Sequence, residues 1–309
     1  MKVKINYPKE LFRGHSGLCE SVFCAPFEEP LKFTEEKFEN GRFLELITKG
    51  SDYLEFTSLL DCDYFIIPYK WDWSDISFSL IEKAKKIGKK TILLYNDDNP
   101  PLRVLSEEDG FLFTTTLIKN QRKSNEFTLP AFTGDFYQSE NFNTNRVLGF
   151  CGAITHPIRN IILSKIYQSS NLQKDFIIRS GFWAPEMTKD EARVGYFKNM
   201  IDTTFTICIR GAGNFSYRLY ETTMMGRIPI IIDTEQVFPF EDIIDYSKFS
   251  LKIDYKNLDN LENIIFNFVS ELTDDKIIEM QKLSRQTWLE YFSPLGWIKN
   301  FTKEIKHVW

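Results

Sequence analysis

Residues 205–233 read FTICIRGAGNFSYRLYETTMMGRIPIIID, and this stretch decides the fold. Phe205 to Ile209 is a continuous apolar run, the pattern of a strand buried on both faces. It meets Arg210, Gly211, Ala212, Gly213 and Asn214, whose small side chains let main-chain N–H groups come close to a bulky anion. A helix opening at Asn214 or Ser216 aims the partial positive charge of its first turn at the same place. Arg210 ends the strand and Arg218 enters the first helical turn, so the two form a candidate clamp for a diphosphate. Glu221 follows Arg218 at helical spacing, where a carboxylate can accept from sugar hydroxyls or simply pair with Arg218. Gly226 stops the helix, and Ile228 to Ile232 form a second buried strand. The whole is a βαβ unit built around an anion.

The rest of the chain alternates in the same way. Strands are expected at Val3–Tyr7, Tyr53–Ser58, Tyr64–Pro68, Thr91–Tyr95 and Phe111–Thr115, with helices over Phe43–Thr48 and Ile76–Ile87. Ala131 to Asn145 is polar and weakly periodic, and reads as a linker. A second alternation follows: a strand at Val147–Cys151, a helix at Arg159–Tyr167, a strand at Phe176–Arg179, a helix near Glu191–Met200, and then the βαβ unit. The tail reads as helices over Leu261–Leu272 and Lys276–Phe292, with a last one after Pro294. Two alternating halves imply an α/β fold of two doubly wound, Rossmann-like domains facing each other across a cleft. The expected divisions are 1–145, 146–285, and a C-terminal helix in 286–309 that packs back on the first domain. Ligands then belong at the carboxyl ends of strands, in the loops Lys70–Asp75, Asn96–Pro101, Cys151–Arg159 and Arg210–Ser216.

Composition sets the limits. With 309 residues the chain is long enough for two cores, and 28 Phe residues make those cores rich in aromatic rings. A formal charge of −5 leaves no whole-protein footprint for nucleic acid or anionic lipid. Five cysteines, Cys19, Cys24, Cys62, Cys151 and Cys208, lack paired metal-ligand spacing and point to a reducing compartment. The segment Met1–Pro8 is short and polar for a signal peptide, and no run approaches the roughly 20 apolar residues of a membrane span.

The stretches CIRGAGNFSYRLYE (Cys208–Glu221) and GRIPIIID (Gly226–Asp233) resemble the signature of exostosin-like glycosyltransferases. DYFIIPY (Asp63–Tyr69), GFCG (Gly149–Gly152) with Arg159, FPF (Phe238–Phe240) and KFSLKI (Lys248–Ile253) extend the resemblance over roughly residues 60–255. Ile209 stands where a proline is common, Thr204 replaces serine, and Tyr246 replaces tryptophan. The resemblance implies the GT-B architecture, inverting transfer, a nucleotide-sugar site in the C-terminal half, and acceptor contacts with the base in the N-terminal half. It assigns the nucleotide-sugar to Arg210, Gly211, Gly213, Asn214, Ser216, Tyr217, Arg218 and Glu221, with Gly152 and Arg159 contributing. Family members of eukaryotes are typically membrane-anchored, so a chain without an anchor is expected to be a bacterial or viral member working in the cytoplasm.

Inverting transfer needs a base for the acceptor hydroxyl. Asp72 is the first candidate, set between Trp71 and Trp73, whose faces suit sugar stacking; capping of the following helix by Asp72, Ser74 or Asp75 is the alternative. His15, in a glycine-rich loop, is the second, followed by Asp97 and Asp98. His156 precedes Pro157 as either a donor contact or a turn residue. Asp61-Cys62-Asp63 resembles a metal-binding Asp-x-Asp but precedes its strand, so no metal and no cofactor is expected; the arginines and the helix terminus stabilise the departing diphosphate. The expected activity is transfer from a UDP-sugar to an oligosaccharide or polysaccharide hydroxyl. A GDP-fucose-type transferase, a non-catalytic nucleotide-sugar or glycan-binding protein, and a structural partner in a polysaccharide synthase assembly remain as alternatives.

Overall fold

The computed structural model describes residues 2–12, 21–28, 41–71, 74–100, 105–137, 142–181 and 184–306. The chain forms two units. The first comprises Met1–Asp135, Val237–Phe240 and Leu289–Trp309; the second comprises Phe136–Gln236 and Glu241–Trp288.

The first unit is built on a six-stranded, wholly parallel sheet of order β2-β1-β3-β4-β5-β6. Its strands are β1 (Val3–Asn6), β2 (Leu54–Phe56), β3 (Tyr64–Ile66), β4 (Lys90–Tyr95), β5 (Gly110–Thr114) and β6 (Glu126–Thr128). The central strands β4 and β5 are buried on both faces, as their unbroken apolar runs require, and pair Leu93 with Leu112. Helices α1 (Ser21–Cys24), α2 (Leu44–Lys49) and α3 (Asp75–Lys86) belong to this unit. Ser74 caps α3, its Oγ accepting the Ser77 N–H at 3.2 Å, while Ile81 and Ala84 face the core and the lysines face water. Sequence periodicity missed β6, because its three residues include a charged Glu126, and likewise the strand Leu251–Asp254 in the second unit.

The second unit carries a five-stranded parallel sheet of order β11-β10-β9-β7-β8. In chain order it contains β7 (Leu148–Ala153), α4 (Pro157–Gln168), β8 (Lys174–Arg179), α5 (Lys189–Asp202), β9 (Phe205–Cys208), α6 (Tyr217–Met224), β10 (Ile228–Asp233), β11 (Leu251–Asp254), α7 (Leu261–Glu271) and α8 (Asp274–Thr287). Phe150, Ile207 and Ile230 from the sheet pack with Ile162, Ile265 and Ile277 from the helices. Arg227 is buried and braces this core: it donates to the Met200 and Ile201 carbonyls at the end of α5 and to Gln281 Oε1 on α8. These carbonyls are among the four that a helix leaves without internal partners.

A last helix, α9 (Pro294–Lys306), belongs to the first unit. Its Trp297 packs against Phe23, Phe113 and Phe132, with ring centroids 5.5, 5.0 and 5.9 Å away, and stacks on Phe301 at 5.2 Å. Glu304 accepts the Phe240 N–H at 2.6 Å, pinning the short Val237–Phe240 segment, which belongs to the same unit. Two doubly wound parallel sheets, each flanked by helices, meet the fold expectation. The stretch read as a polar linker is in fact structured at both ends. Ala131, Phe132 and Thr133 are buried in the first unit, and Asn143 bonds to Thr204 and Gln281 in the second. No helix among the described residues is long and apolar enough to cross a membrane.

Gly110 opens β5 with φ +150°, and a Cβ there would lie 1.9 Å from the Thr91 carbonyl oxygen of the neighbouring strand. Both the conformation and the contact involve backbone, which cannot rotate away. Gly110→Ala is therefore expected to destabilise the protein by roughly 2–4 kcal/mol, measured as a fall in denaturation midpoint; an unchanged midpoint contradicts this strand register.

Candidate functional site

In the second sheet the chain runs from β7 outward to β8, then returns to place β9 on the other side of β7. The loops leaving β7 and β9 consequently diverge and open a crevice at the carboxyl end of the sheet, the place where open α/β sheets bind ligands. Helices α4 and α6 both start from this end, with His156 and Ser216 as their N-caps. Each contributes N–H groups without helical partners and a positive dipole end.

Two arginines occupy the crevice floor. Arg218, on the first turn of α6, is buried; its Nε and Nη2 donate to the Cys151 carbonyl at 3.2 and 2.6 Å, and its Cζ lies 4.2 Å from the centre of the Phe150 ring. Gly152 makes this possible. With φ +148° it presents bare backbone to the guanidinium, and a Cβ would sit 1.9 Å from Nη2. Arg159, on the first turn of α4, is buried as well and donates to three carbonyls: Arg210 at 2.8 Å, Ala153 at 2.9 Å and Ile209 at 3.1 Å. These three bonds tie the end of β7 to the end of β9. Burial and then the charge of Arg218 bring the Arg159 guanidinium down to about 9, still charged at neutral pH. Among the described residues no carboxylate lies within ion-pair distance of either guanidinium.

The other residues of the turn are arranged around this pair. Arg210 folds over its own loop, with Nη2 2.8 Å from the Ala212 carbonyl and Nε 3.3 Å from the Gly211 carbonyl. Gly211 donates its N–H to the Phe215 carbonyl at 3.1 Å, closing the turn that contains the buried Gly213. Asn214 is buried and locked to the loop after β10: Thr234 Oγ1 donates to its Oδ1 at 2.6 Å, and its Nδ2 donates to the Thr234 carbonyl. Ser216 caps α6 by position only. Its Oγ is buried without a hydrogen-bond partner, at the mouth of the helix. Tyr217 packs on Phe215, ring centres 5.5 Å apart. Glu221 accepts a hydrogen bond from Tyr196 on α5 rather than pairing with Arg218. Tyr196 and Thr234 had no signal in sequence, since each acts through a partner more than a helix length away along the chain.

In the first unit, Asp97 lies just past β4 and pairs with Lys70 at 2.7 Å, and Lys70 Nζ stands 5.2 Å from the Tyr95 ring centre. The Lys70 hydrogen bond holds the Asp97 carboxyl below the usual carboxylate range. Asp98 follows Asp97 in the same loop and is exposed. Trp71 is not a sugar platform: it is buried in the core, edge-on to Phe78 at 5.4 Å. Alternating aromatic and charged residues mimic a binding loop, but here the aromatic ring closes the hydrophobic layer over α3. Asp72, Trp73 and His15 lie outside the described residues. Asp63 sits before β3 and accepts the Lys4 N–H, and Asp61 accepts the Ser58 hydroxyl, both at the amino-terminal end of the sheet. Among the described residues no three His, Cys, Asp or Glu side chains converge as metal ligands.

His156 yields a test of the α4 terminus. Its Nδ1 accepts the Ile158 N–H at 3.2 Å, a bond that exists only while that nitrogen is unprotonated. Burial, then Arg210 and Arg159, lower its pKa. The unfolded chain therefore takes up a proton that the folded one resists, and stability is lost as pH falls below the ordinary imidazole value of about 6.5. The melting temperature of wild type minus that of His156→Asn, an uncharged cap, is expected to be constant above that pH and to fall below it; a pH-independent difference contradicts the neutral cap.

The exostosin GT47 domain model matches residues 110–268, the whole of the second sheet included. The "Probable arabinosyltransferase ARAD1" of Arabidopsis thaliana is 27% identical over 108 residues, 34% of this chain and 24% of that protein. Exostosin-1 of Drosophila melanogaster is 25% identical over 217 residues, 65% of this chain and 27% of that protein. The matches thus span about a quarter of these relatives' length. The solved apo form of the lipopolysaccharide outer core galactosyltransferase WaaB aligns over 99% of both chains with a TM-score of 0.49 and 12% identity. A family model that covers more than half of the 309 residues, centred on the sheet that carries the two arginines, fixes the relationship: the chain belongs to the exostosin GT47 family.

Proposed function

We propose that the chain is a glycosyltransferase that moves a sugar from a nucleoside diphosphate donor, a UDP-sugar, to a glycan hydroxyl with inversion at the anomeric carbon. One observation carries the reading: the guanidinium groups of Arg159 and Arg218 are both buried at a strand-end crevice, and among the described residues no carboxylate lies within ion-pair distance of them. Burying like charges together is unfavourable, and an anionic ligand removes the penalty. The N-terminus of α6, with the unpartnered Ser216 hydroxyl, adds donors at the same mouth. Relatives named as sugar transferases support the reaction class and leave the sugar open.

In the proposed step the acceptor oxygen bonds to the anomeric carbon as the bond from that carbon to the β-phosphate oxygen breaks. The electron pair leaves with the diphosphate, and the acceptor proton passes to a base. Charge grows on the leaving diphosphate, where fixed cations and N–H dipoles act most strongly. Arg218 is suited to this because Nε and Nη2 hold it to the scaffold, while among the described residues none accepts a hydrogen bond from Nη1. Asp97, paired with Lys70 and lowered in basicity, is the weaker base candidate; Asp72 and His15 stand ahead of it, with Asp98 behind. Arginine and helix-terminus stabilisation makes a divalent metal dispensable in this scheme, and the site is proposed to work in the cytoplasm.

Calorimetric titration with UDP and GDP is expected to show UDP binding more tightly. Arg218→Lys keeps the charge but loses the fork, and should weaken UDP binding by about tenfold or more, the equivalent of one charge-assisted hydrogen bond. Tighter GDP binding, or an unchanged UDP constant in the folded variant, contradicts the assignment. Chelator-treated protein should retain transfer activity; loss with EDTA that manganese or magnesium restores overturns the metal-independent step.

A further inference from the structure

Tyr196, on α5, stands outside the signature of the anion turn. Its hydroxyl donates to Glu221 Oε2 on α6, a bond that crosses between two helices separated by β9. Its ring also lies 5.9 Å from Arg218 Cζ. Tyr196 and Glu221 are both half-buried, whereas Arg218 is buried, so the pair keeps some access to solvent where the guanidinium has little. Burial and the Glu221 charge push the phenol well above its ordinary range, so it stays a hydrogen-bond donor throughout the working pH range.

A glutamate at a ligand rim ordinarily samples several rotamers, and ordering it opposes binding. A phenol held by a neighbouring helix removes that freedom in advance. The Tyr196–Glu221 bond also separates two functions of α6. Arg218, directed inward, supplies charge for phosphate; Glu221, directed by Tyr196, supplies an acceptor suited to a donor such as a hydroxyl.

We propose that Tyr196 is a positioning residue that orients the Glu221 carboxylate to accept from the ribose hydroxyls of the donor nucleotide, so that the pair selects the sugar of the nucleotide independently of its phosphates. This rests on the nucleoside diphosphate reading of the crevice. The test is calorimetric titration of the full chain with UDP and with 2′,3′-dideoxy-UDP. Wild type should prefer UDP by about tenfold or more, the value of hydrogen bonds to a charged group. Tyr196→Phe, which keeps the ring beside Arg218, should lose most of that preference while binding the dideoxy compound as wild type does. Glu221→Gln should lose it too, and the double variant should be no worse than Glu221→Gln alone. A merely structural role would weaken both ligands alike. If Tyr196→Phe does not fold, Glu221→Asp, which draws the carboxylate back from the phenol, must show the same selective loss. Failure of wild type to bind UDP, or to distinguish it from the dideoxy compound, overturns the reading of the site and this inference with it. A wild-type preference that survives intact in Tyr196→Phe, or in Glu221→Asp where that variant stands in, overturns the positioning role alone.

Discussion

The second unit depends on two guanidinium groups held by main-chain carbonyls at the ends of neighbouring strands. Arg218 grips Cys151 across the end of β7, and Arg159 joins the end of β7 to the end of β9 through three carbonyls. Both are buried, so each hydrogen bond to a carbonyl is made in a medium where leaving the donor unpaired would be costly. The carbonyls satisfy the donors but cannot cancel the charge. That residue of positive potential is what the proposed diphosphate would meet.

Glycine at the strand ends sets the spacing. Gly152, at φ +148°, leaves the space that Arg218 fills, and the guanidinium lies against Phe150 on its other contact. Any side chain there would displace the arginine. Farther out, Thr234 fixes Asn214 and thereby the loop before α6, while Tyr196 fixes Glu221. Rigidity of this kind keeps donors aimed before a ligand arrives, which is the condition under which dipoles and charges stabilise developing charge without reorganising.

Much of this was legible in the chain. The apolar runs at Phe205–Ile209 and Ile228–Ile232 could only be buried strands, and Gly226 could only end a helix; the observed α6 and β10 follow those limits closely. What escaped was whatever depends on partners distant in sequence. The role of Arg159 is set by carbonyls some fifty residues away, and Asn214 is engaged by Thr234, which lies one strand further on. Trp71 misled because a Tyr-Lys-Trp run looks like a binding loop whether its rings face a sugar or a core, and only the packing of Phe78 decides. Strand β6 was too short and too charged to give a period.

The central claim is that the buried arginine pair and the α6 terminus form a diphosphate site. A crystal structure of the chain soaked with UDP tests it most directly. The account predicts diphosphate oxygens within hydrogen-bond distance of Arg218 and of the main-chain N–H groups at the start of α6, with the ribose beside Glu221. A UDP bound elsewhere, with these groups untouched, would contradict it.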